Sequence, residues 1–485
     1  MSKKHVFFFI GLGGVSISPF LFDPVSQLIQ NYGPAWAAIK ITRVHHLTFW
    51  CLSFIWAIYF GVWIWKSNWG WFSSGNLKRK FFLILAAGTL FRLAVILFVN
   101  APQVSDARDY DQMAAALAQT GIFQDNGAIT AYRPIGYVAF LAGIYKIFGH
   151  ELLWSQLANV FLDMLTLFLL WQLFSRWKDE KTALAACTIL AFYLPEVYST
   201  QYLLSEQLFV FFWFFSIYLW EKNREKQFPT FLSGLSFGLA ALVRPVVLAW
   251  AAIPAITEAF RRRWIRLSLF LLAAMLVTMP WFYRNYKTFG VGALSTHSGI
   301  NFWMGANPQA TGYYHLPDSL PFDFSNQGEM ERTAWKLGWD HVKSHPFEYL
   351  RLGLIKVAVV FGFDYGYILS GLTVRPPYGQ LVWAVLGQTM WWVLLFFAAV
   401  KAVFILFNSR KRAAVGSPIP LWTLFYWAAV HFFFVGADRY HHPVVPFFAF
   451  LAVLGVSATN KLHHDSEAEE QAAVSVHPGP ENPKL

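Results

Sequence analysis

Long apolar runs broken by short polar punctuation dominate the chain. A membrane-spanning helix needs about 20 apolar residues. Stretches at 5–22, 47–65, 81–99, 152–174, 182–199, 204–220, 228–243, 246–260, 264–283, 384–407, 419–436 and 443–459 reach or approach that length. The pattern predicts an all-α, polytopic transmembrane helical bundle of about 12 spans. Because the runs are continuous rather than alternating, a β-barrel is disfavoured.

The main departure from this pattern is a polar island over residues 105–150. Asp106, Asp109 and Asp111 open a segment in which Tyr110, Met113, Ala114, Leu117 and Ala118 recur along one helix face, and Gly121 supplies a stop. After Arg133-Pro134, a second amphipathic stretch runs from Gly136 to Gly149 and is too short to cross a bilayer. Two short juxtamembrane helices lying on the membrane surface are expected here. A second polar segment, 285–347, is Gly- and Asn-rich at first and helix-like from Glu329 to Val342, and is too long for an idle connection. Residues 348–369, which contain Lys356 and Asp364, are read as a partly inserted or interfacial helix.

Composition agrees with a membrane protein: 56% of the 485 residues are hydrophobic, 13% are charged and the mean hydropathy is +0.41. The net charge of +11 does not point to nucleic acid, because the basic residues fall in small clusters between apolar runs. Lys3-Lys4, Lys78 to Lys80, Arg176 to Lys181, Lys222 to Lys226, Arg261 to Arg263 and Arg410 to Arg412 then share one side, the cytoplasm. Cys51 and Cys187 lie in apolar runs and imply no disulfide framework or cysteine metal site. The Lys3-Lys4-His5 start resembles a signal sequence but lacks a small-residue cleavage site, so it is read as a retained first helix.

Five regions follow: an N-terminal extra hairpin (1–80), a transmembrane core (81–283) with a polar loop at 100–150, a loop region with an interfacial helix (284–370), C-terminal spans (371–460) and a disordered cytoplasmic tail (461–485).

A family resemblance enters through a succession of motifs: Asp106 and Tyr110; Arg133-Pro134-Ile135-Gly136-Tyr137; Tyr202 and Glu206; Arg244-Pro245; Pro280-Trp281 through Arg284-Asn285-Tyr286; and the stretch from Gly299 to Asn307. In order and sidedness these resemble the GT-C-fold glycosyltransferases that use polyprenyl-phosphate sugars, among them the aminoarabinose transferases of lipid A and the protein O-mannosyltransferases. Two departures stand out: Ile135 replaces a second proline, and Ala107 follows Asp106 where an acidic pair is common.

The resemblance implies a bacterial cytoplasmic-membrane enzyme with its site facing the periplasm. Its donor would be a polyprenyl-phosphate-linked sugar, its acceptor a lipid, glycan or protein, and nucleic acid would play no part. No cofactor is required by it, though a divalent cation stays open. Asp106 is the expected base and Glu206 the second catalytic acid. Arg133, Arg244, Arg284 and Arg439, with Tyr110, Asp109 and Asn285, are the expected substrate-binding residues. His297, Asn301 and Asn307 are further candidates for the cavity wall.

Each candidate has a bland counterpart: an N-cap role for Asp106 or Asp109, an interfacial anchor for Arg133, and loop hydrogen bonding for the asparagines. His441-His442 beside Asp438 are expected to be interfacial residues rather than metal ligands. An O-antigen ligase or polymerase, which would use a diphosphate leaving group, and a lipid or sugar transporter, which would carry charges at mid-membrane, are the competing function classes.

Overall fold

The computed structural model describes residue 72 and residues 74–99, 101–222, 226–314, 317, 320–362, 378–407 and 417–456. The expected spans at 5–22 and 47–65, Cys51 and the tail lie outside the described residues.

Helix α1 (Leu77–Phe98) begins where the Asn76 side chain accepts a hydrogen bond from the Arg79 amide, satisfying one of the donors a helix start leaves open. The polar island folds as α2 (Asp106–Thr120), a two-residue hairpin of β1 (Gln124–Asp125) and β2 (Ala128–Ile129), and α3 (Ile135–Phe148). Gly121 closes α2 in the left-handed conformation, where a side chain would be strained. The hairpin was not anticipated. Its signal is Asn126-Gly127, both at positive φ, the dipeptide that suits a two-residue turn between antiparallel strands.

Next come α4 (Leu152–Trp177), α5 (Glu180–Ala191), α6 (Leu194–Ser199), α7 (Glu206–Lys222) and α8 (Gln227–Val243). A 3-10 turn (Pro245–Ala251) leads to α9 (Ala252–Phe260) and α10 (Trp264–Phe289). The chain continues through α11 (Ser298–Met304), α12 (Gln327–Ser344), α13 (Pro346–Gly362), α14 (Tyr378–Phe407) and α15 (Ile419–Phe433). A second 3-10 turn (Asp438–Val444) enters α16, residues 445–456.

The described residues are predominantly helical, but three helices among them, α1, α4 and α10, are both long and apolar enough to cross a membrane. The expected span at 182–199 is instead two helices, α5 and α6, parted at Phe192-Tyr193; Pro195, with no N–H to donate, fits only the first turn of the second. The expected span at 246–260 is a 3-10 turn followed by the nine-residue α9. Of 348–369, the part up to Gly362 is helix α13 and residues 363–377 lie outside the described set.

One buried apolar cluster runs from Phe81 to Val456 and ties α1 to α16. At its centre Trp213 stacks on Trp427 and meets Trp250 edge-on, with ring centroids 5.4 and 5.7 Å apart. Helix α8 packs on α7 and α10 through small residues. Ser216 and Ser233 each donate to the other's backbone carbonyl, and Gly234 and Gly238 let the α10 backbone approach. Outward-facing Phe82, Leu83, Leu90, Leu97, Leu272 and Leu276 are exposed, as on a surface solvated by lipid. A smaller cluster joins α11 and α12 to Val435, just before the second 3-10 turn.

Candidate active site

Asp106 and Asp109 stand one turn apart at the start of α2. Neither acts as a cap: the residue at the cap position is Ser105, at φ 51° with no side-chain cap hydrogen bond. Both carboxylates accept from Arg133 Nη2, at 2.6 Å for Asp106 Oδ1 and 2.9 Å for Asp109 Oδ2. Pro134 forces the backbone out of the helical region before α3, and so presents Arg133 to the head of α2. The guanidinium lies over the Tyr110 and Tyr132 rings, 5.6 and 5.5 Å from their centroids. Tyr110 meets Tyr137 edge-on at 5.2 Å and is buried, which makes it a wall of the arginine's slot.

The second oxygen of Asp106 accepts from Arg439 Nη2, brought in by the 3-10 turn between α15 and α16. Lys356 fixes that turn's approach. Its buried Nζ donates to the carbonyls of Gly305, after α11, and Phe433, at the end of α15, at 3.0 and 3.1 Å. Behind this outer cluster Glu206, at the head of α7, pairs with Arg244 Nη1 at 2.7 Å. The Tyr440 ring lies 6.0 Å from the Arg244 guanidinium and 5.9 Å from that of Arg439, so it stands between the two ion pairs. The inner acid is 5% exposed, whereas Asp106 keeps 21% and Arg439 27%: the outer pairs are partly exposed and the inner acid is buried.

Burial alone would raise the Asp106 carboxyl, but Arg439 and Arg133 outweigh it and hold the group well below the usual carboxylate range. Arg133 is stabilised as a cation above its ordinary value, against burial, chiefly by Asp106. His297, stacked on Tyr132 at 4.2 Å, is pushed down to about 3 by burial and then by Arg133, and is therefore neutral. Tyr132 is raised, again first by burial.

Arg284 and Asn285 do not join the ion pairs. Arg284 donates to the Thr130 carbonyl at 2.7 Å and lies over Trp281, while Asn285 donates to Ala293 O at 2.8 Å. Arg284 thus fastens α10 to the loop leading to Arg133, and Asn285 ties α10 to the segment that follows it. Asn307 donates to the carbonyls at the end of α11, at 2.9 and 3.2 Å, a loop role. Tyr202 contributes its backbone carbonyl to Asn159, which also accepts from the Tyr137 hydroxyl.

His441 and His442 correct the expectation of interfacial residues: they are 0% and 2% exposed, packed against Val360 O and Glu196. The sequence reading also missed Arg92, which is buried and pairs with Asp163 at 2.5 Å. A lone charge inside an apolar run was the available signal for each member of that pair. Among the described residues no three His, Cys, Asp or Glu side chains are placed to hold a metal ion. The Asp106–Asp109 pair fits one poorly, because the Arg133 guanidinium bonds both acids.

The comparisons with known proteins bear on this region. Residues 132–284, from Tyr132 through Arg284, match the dolichyl-phosphate-mannose-protein mannosyltransferase family. No curated protein matches the chain. Among solved structures it is similar to ArnT from Cupriavidus metallidurans in the apo state, at 14% identity over 79% of this chain and 77% of that one, with a TM-score of 0.39. The same protein bound to undecaprenyl phosphate aligns at 15% identity over 83% and 81%, TM-score 0.36. Archaeal AglB from Archaeoglobus fulgidus, an oligosaccharyltransferase in complex with an inhibitory peptide and a dolichol-phosphate, aligns at 13% identity over 83% of this chain and 52% of its own, TM-score 0.44. Through the segment that carries Arg133, Glu206, Arg244 and Arg284, the chain resembles the membrane glycosyltransferases of the GT-C fold.

Proposed function

We propose that this protein moves a sugar from a polyprenyl monophosphate, undecaprenyl phosphate in a bacterium, to a hydroxyl or amine of a lipid, glycan or protein acceptor at the periplasmic face of the inner membrane. The observation that carries this reading is the convergence of Arg133 and Arg439 on one partly exposed carboxylate, Asp106. Two partly exposed guanidiniums suit a departing phosphate, whose planar oxygen pairs match their donor geometry. The family segment at 132–284 supports the sugar-phosphate class of donor.

In this reading the acceptor oxygen or nitrogen bonds to the anomeric carbon as the bond from that carbon to the carrier's phosphate oxygen breaks. The electron pair leaves with the phosphate, and the acceptor's proton goes to Asp106. A single displacement of this kind inverts the anomeric centre. While both arginines hold Asp106 its basicity is low. Phosphate oxygens of the donor compete for the same N–H groups, and drawing either arginine away raises the carboxylate's proton affinity as the acceptor arrives. Glu206 holds Arg244 against Tyr440, keeping a third cation behind the first two.

The test is transfer from a panel of polyprenyl-phosphate sugars, with native lipid extract as acceptor, in membranes matched for protein amount. Asp106→Asn is expected to lower transfer by at least about 100-fold, the scale of a general-base contribution, with carrier binding retained. Equal transfer by parent and variant would remove Asp106 as the base. No transfer by the parent from any donor would end the proposal.

A further inference from the structure

A cavity lies at the opposite end of α7 from Glu206. Trp220, near the close of that helix, helps to line it, so at 1.5 Å per residue the two sites are separated by roughly 21 Å of helix. The cavity holds ≈ 540 Å³ including its mouth and is bounded by Trp220, Pro254, Thr257, Glu258 and Arg261, among others.

Helix α9 sorts its residues around this cavity. Ile256 and Phe260, four apart, are 57% and 86% exposed, and Trp264 and Ile265 just beyond are exposed too. Pro254 and Glu258, also four apart, are buried on the inward side. That spacing puts each pair on one helix face. Arg261, Arg262 and Arg263 follow at the helix end. Apolar and aromatic side chains exposed beside a basic run mark the depth of the lipid headgroups.

Glu258 is 1% exposed and half satisfied. Its Oε1 accepts from Arg266 Nη1 at 3.1 Å, and Arg266 is itself fixed by donating to the Trp220 carbonyl and by lying 3.9 Å from the Trp220 ring centroid. Oε2 has no hydrogen-bond partner among the described residues. A buried carboxylate oxygen without a donor is costly, so a donor entering from the cavity gains more there than at a surface acid. Arg261, exposed at the cavity's rim, offers a guanidinium that suits a phosphate. Anion site and cation site thus border one cavity at headgroup depth. An ammonium joined to a phosphate by two carbons, the headgroup of an ethanolamine phospholipid, offers an N–H donor to the open Glu258 oxygen and phosphate oxygens to Arg261.

We propose that the Glu258–Arg261 cavity binds an ethanolamine phospholipid headgroup, the ammonium on Glu258 Oε2 and the phosphate on Arg261. The site is distinct from the Asp106 cluster, and its occupancy does not depend on the transfer reaction.

The experiment is native mass spectrometry of the full chain released from mixed-lipid nanodiscs, comparing ethanolamine, choline and glycerol phospholipids with the same acyl chains. The choline headgroup has the same charges but no N–H to donate. The parent is expected to retain the ethanolamine lipid at least about tenfold over the choline lipid, the ratio one charge-assisted hydrogen bond sustains. Glu258→Gln should bring that ratio near one. Arg261→Ala, at an exposed position, should weaken both lipids together and keep the ratio. Equal retention of ethanolamine and choline lipids by the parent, preference for the glycerol lipid over the ethanolamine lipid, or an unchanged ratio in Glu258→Gln would each overturn the proposal. Should Glu258→Gln fail to fold through loss of the Arg266 pair, the parent's headgroup ratio and Arg261→Ala still decide it.

Discussion

Arg439 donates a hydrogen bond to Asp106 across 333 positions of sequence, so that the head of α2 and the turn before α16 share one ion pair. Arg133 holds the other oxygen of the same carboxylate. A surface ion pair contributes little on its own, but one carboxylate accepting from two guanidiniums in a half-buried slot is fixed in both position and charge.

Arg439→Ala should lower transfer by about 10- to 100-fold, the equivalent of one charge-assisted hydrogen bond of about 1.5–3 kcal/mol. Arg439→Lys should recover part of the loss, since lysine keeps the charge but not the planar fork. Steady-state kinetics at varied donor concentration are the measurement. Unchanged kcat and KM in Arg439→Ala would take this residue out of the site.

Glu206→Ala leaves Arg244 without its 2.7 Å partner behind the site. Breaking a buried pair from one side costs about 3–5 kcal/mol, whereas replacing both partners with apolar residues of similar size is close to neutral. The single variant should therefore show a clear fall in Tm, and Glu206→Leu with Arg244→Met should regain most of it without regaining transfer. A double variant as active as the parent would restrict the pair to a structural role.

Acid should destabilise the region around His297. The folded-state pKa of His297, about 3, lies below the value of about 6.5 expected in the unfolded chain. Between those limits the unfolded chain binds more protons, so stability rises with pH across the window and is complete above it. Each pH unit lost within the window costs up to about 1.4 kcal/mol. Thermal unfolding of the parent and His297→Gln at several pH values between 4 and 7, on the order of the window given by these pKa values, should show a shallower slope for the variant. Parallel slopes would exclude His297 as the titrating group.

The contact of α8 with α10 depends on missing side chains. A Cβ at Gly234 would stand 2.3 Å from Phe270 O and 2.7 Å from Ala273 Cβ, and the backbone oxygen cannot turn aside. Gly234→Ala should cost about 1–3 kcal/mol despite the better helix propensity of alanine. Retention of the parent's Tm would mean that the two helices separate more easily than their packing indicates.

Much of the local organisation could be read from the chain. The i, i+3, i+4 pattern from Asp106 with Gly121 as stop gives α2 to within a residue or two, and Arg133-Pro134 followed by an apolar face gives α3. The apolar runs around 81–99, 152–174 and 264–283 become α1, α4 and α10, each long and apolar enough to cross a membrane. The pattern was less informative where runs abut. Pro195 and Pro245 divide apolar stretches that hydropathy alone joins or extends, because one missing N–H outweighs a run of favourable side chains. The Asn126-Gly127 hairpin was legible but unread.

Composition and periodicity alone determined that this is a helical membrane protein with a polar loop between its apolar segments. Both properties follow from side-chain hydrophobicity and from the 3.6-residue repeat, which act locally. Which charges meet was decided only by tertiary structure. Asp106, Arg133 and Arg439 come together, Glu206 takes Arg244, and Arg284 turns away to the Thr130 carbonyl, although all four arginines looked alike in sequence. Likewise His441 and His442 are core residues because α4, α6 and α13 close over them. An ion pair depends on a few ångströms between atoms hundreds of residues apart, a distance set by how helices pack and not by anything either segment carries alone.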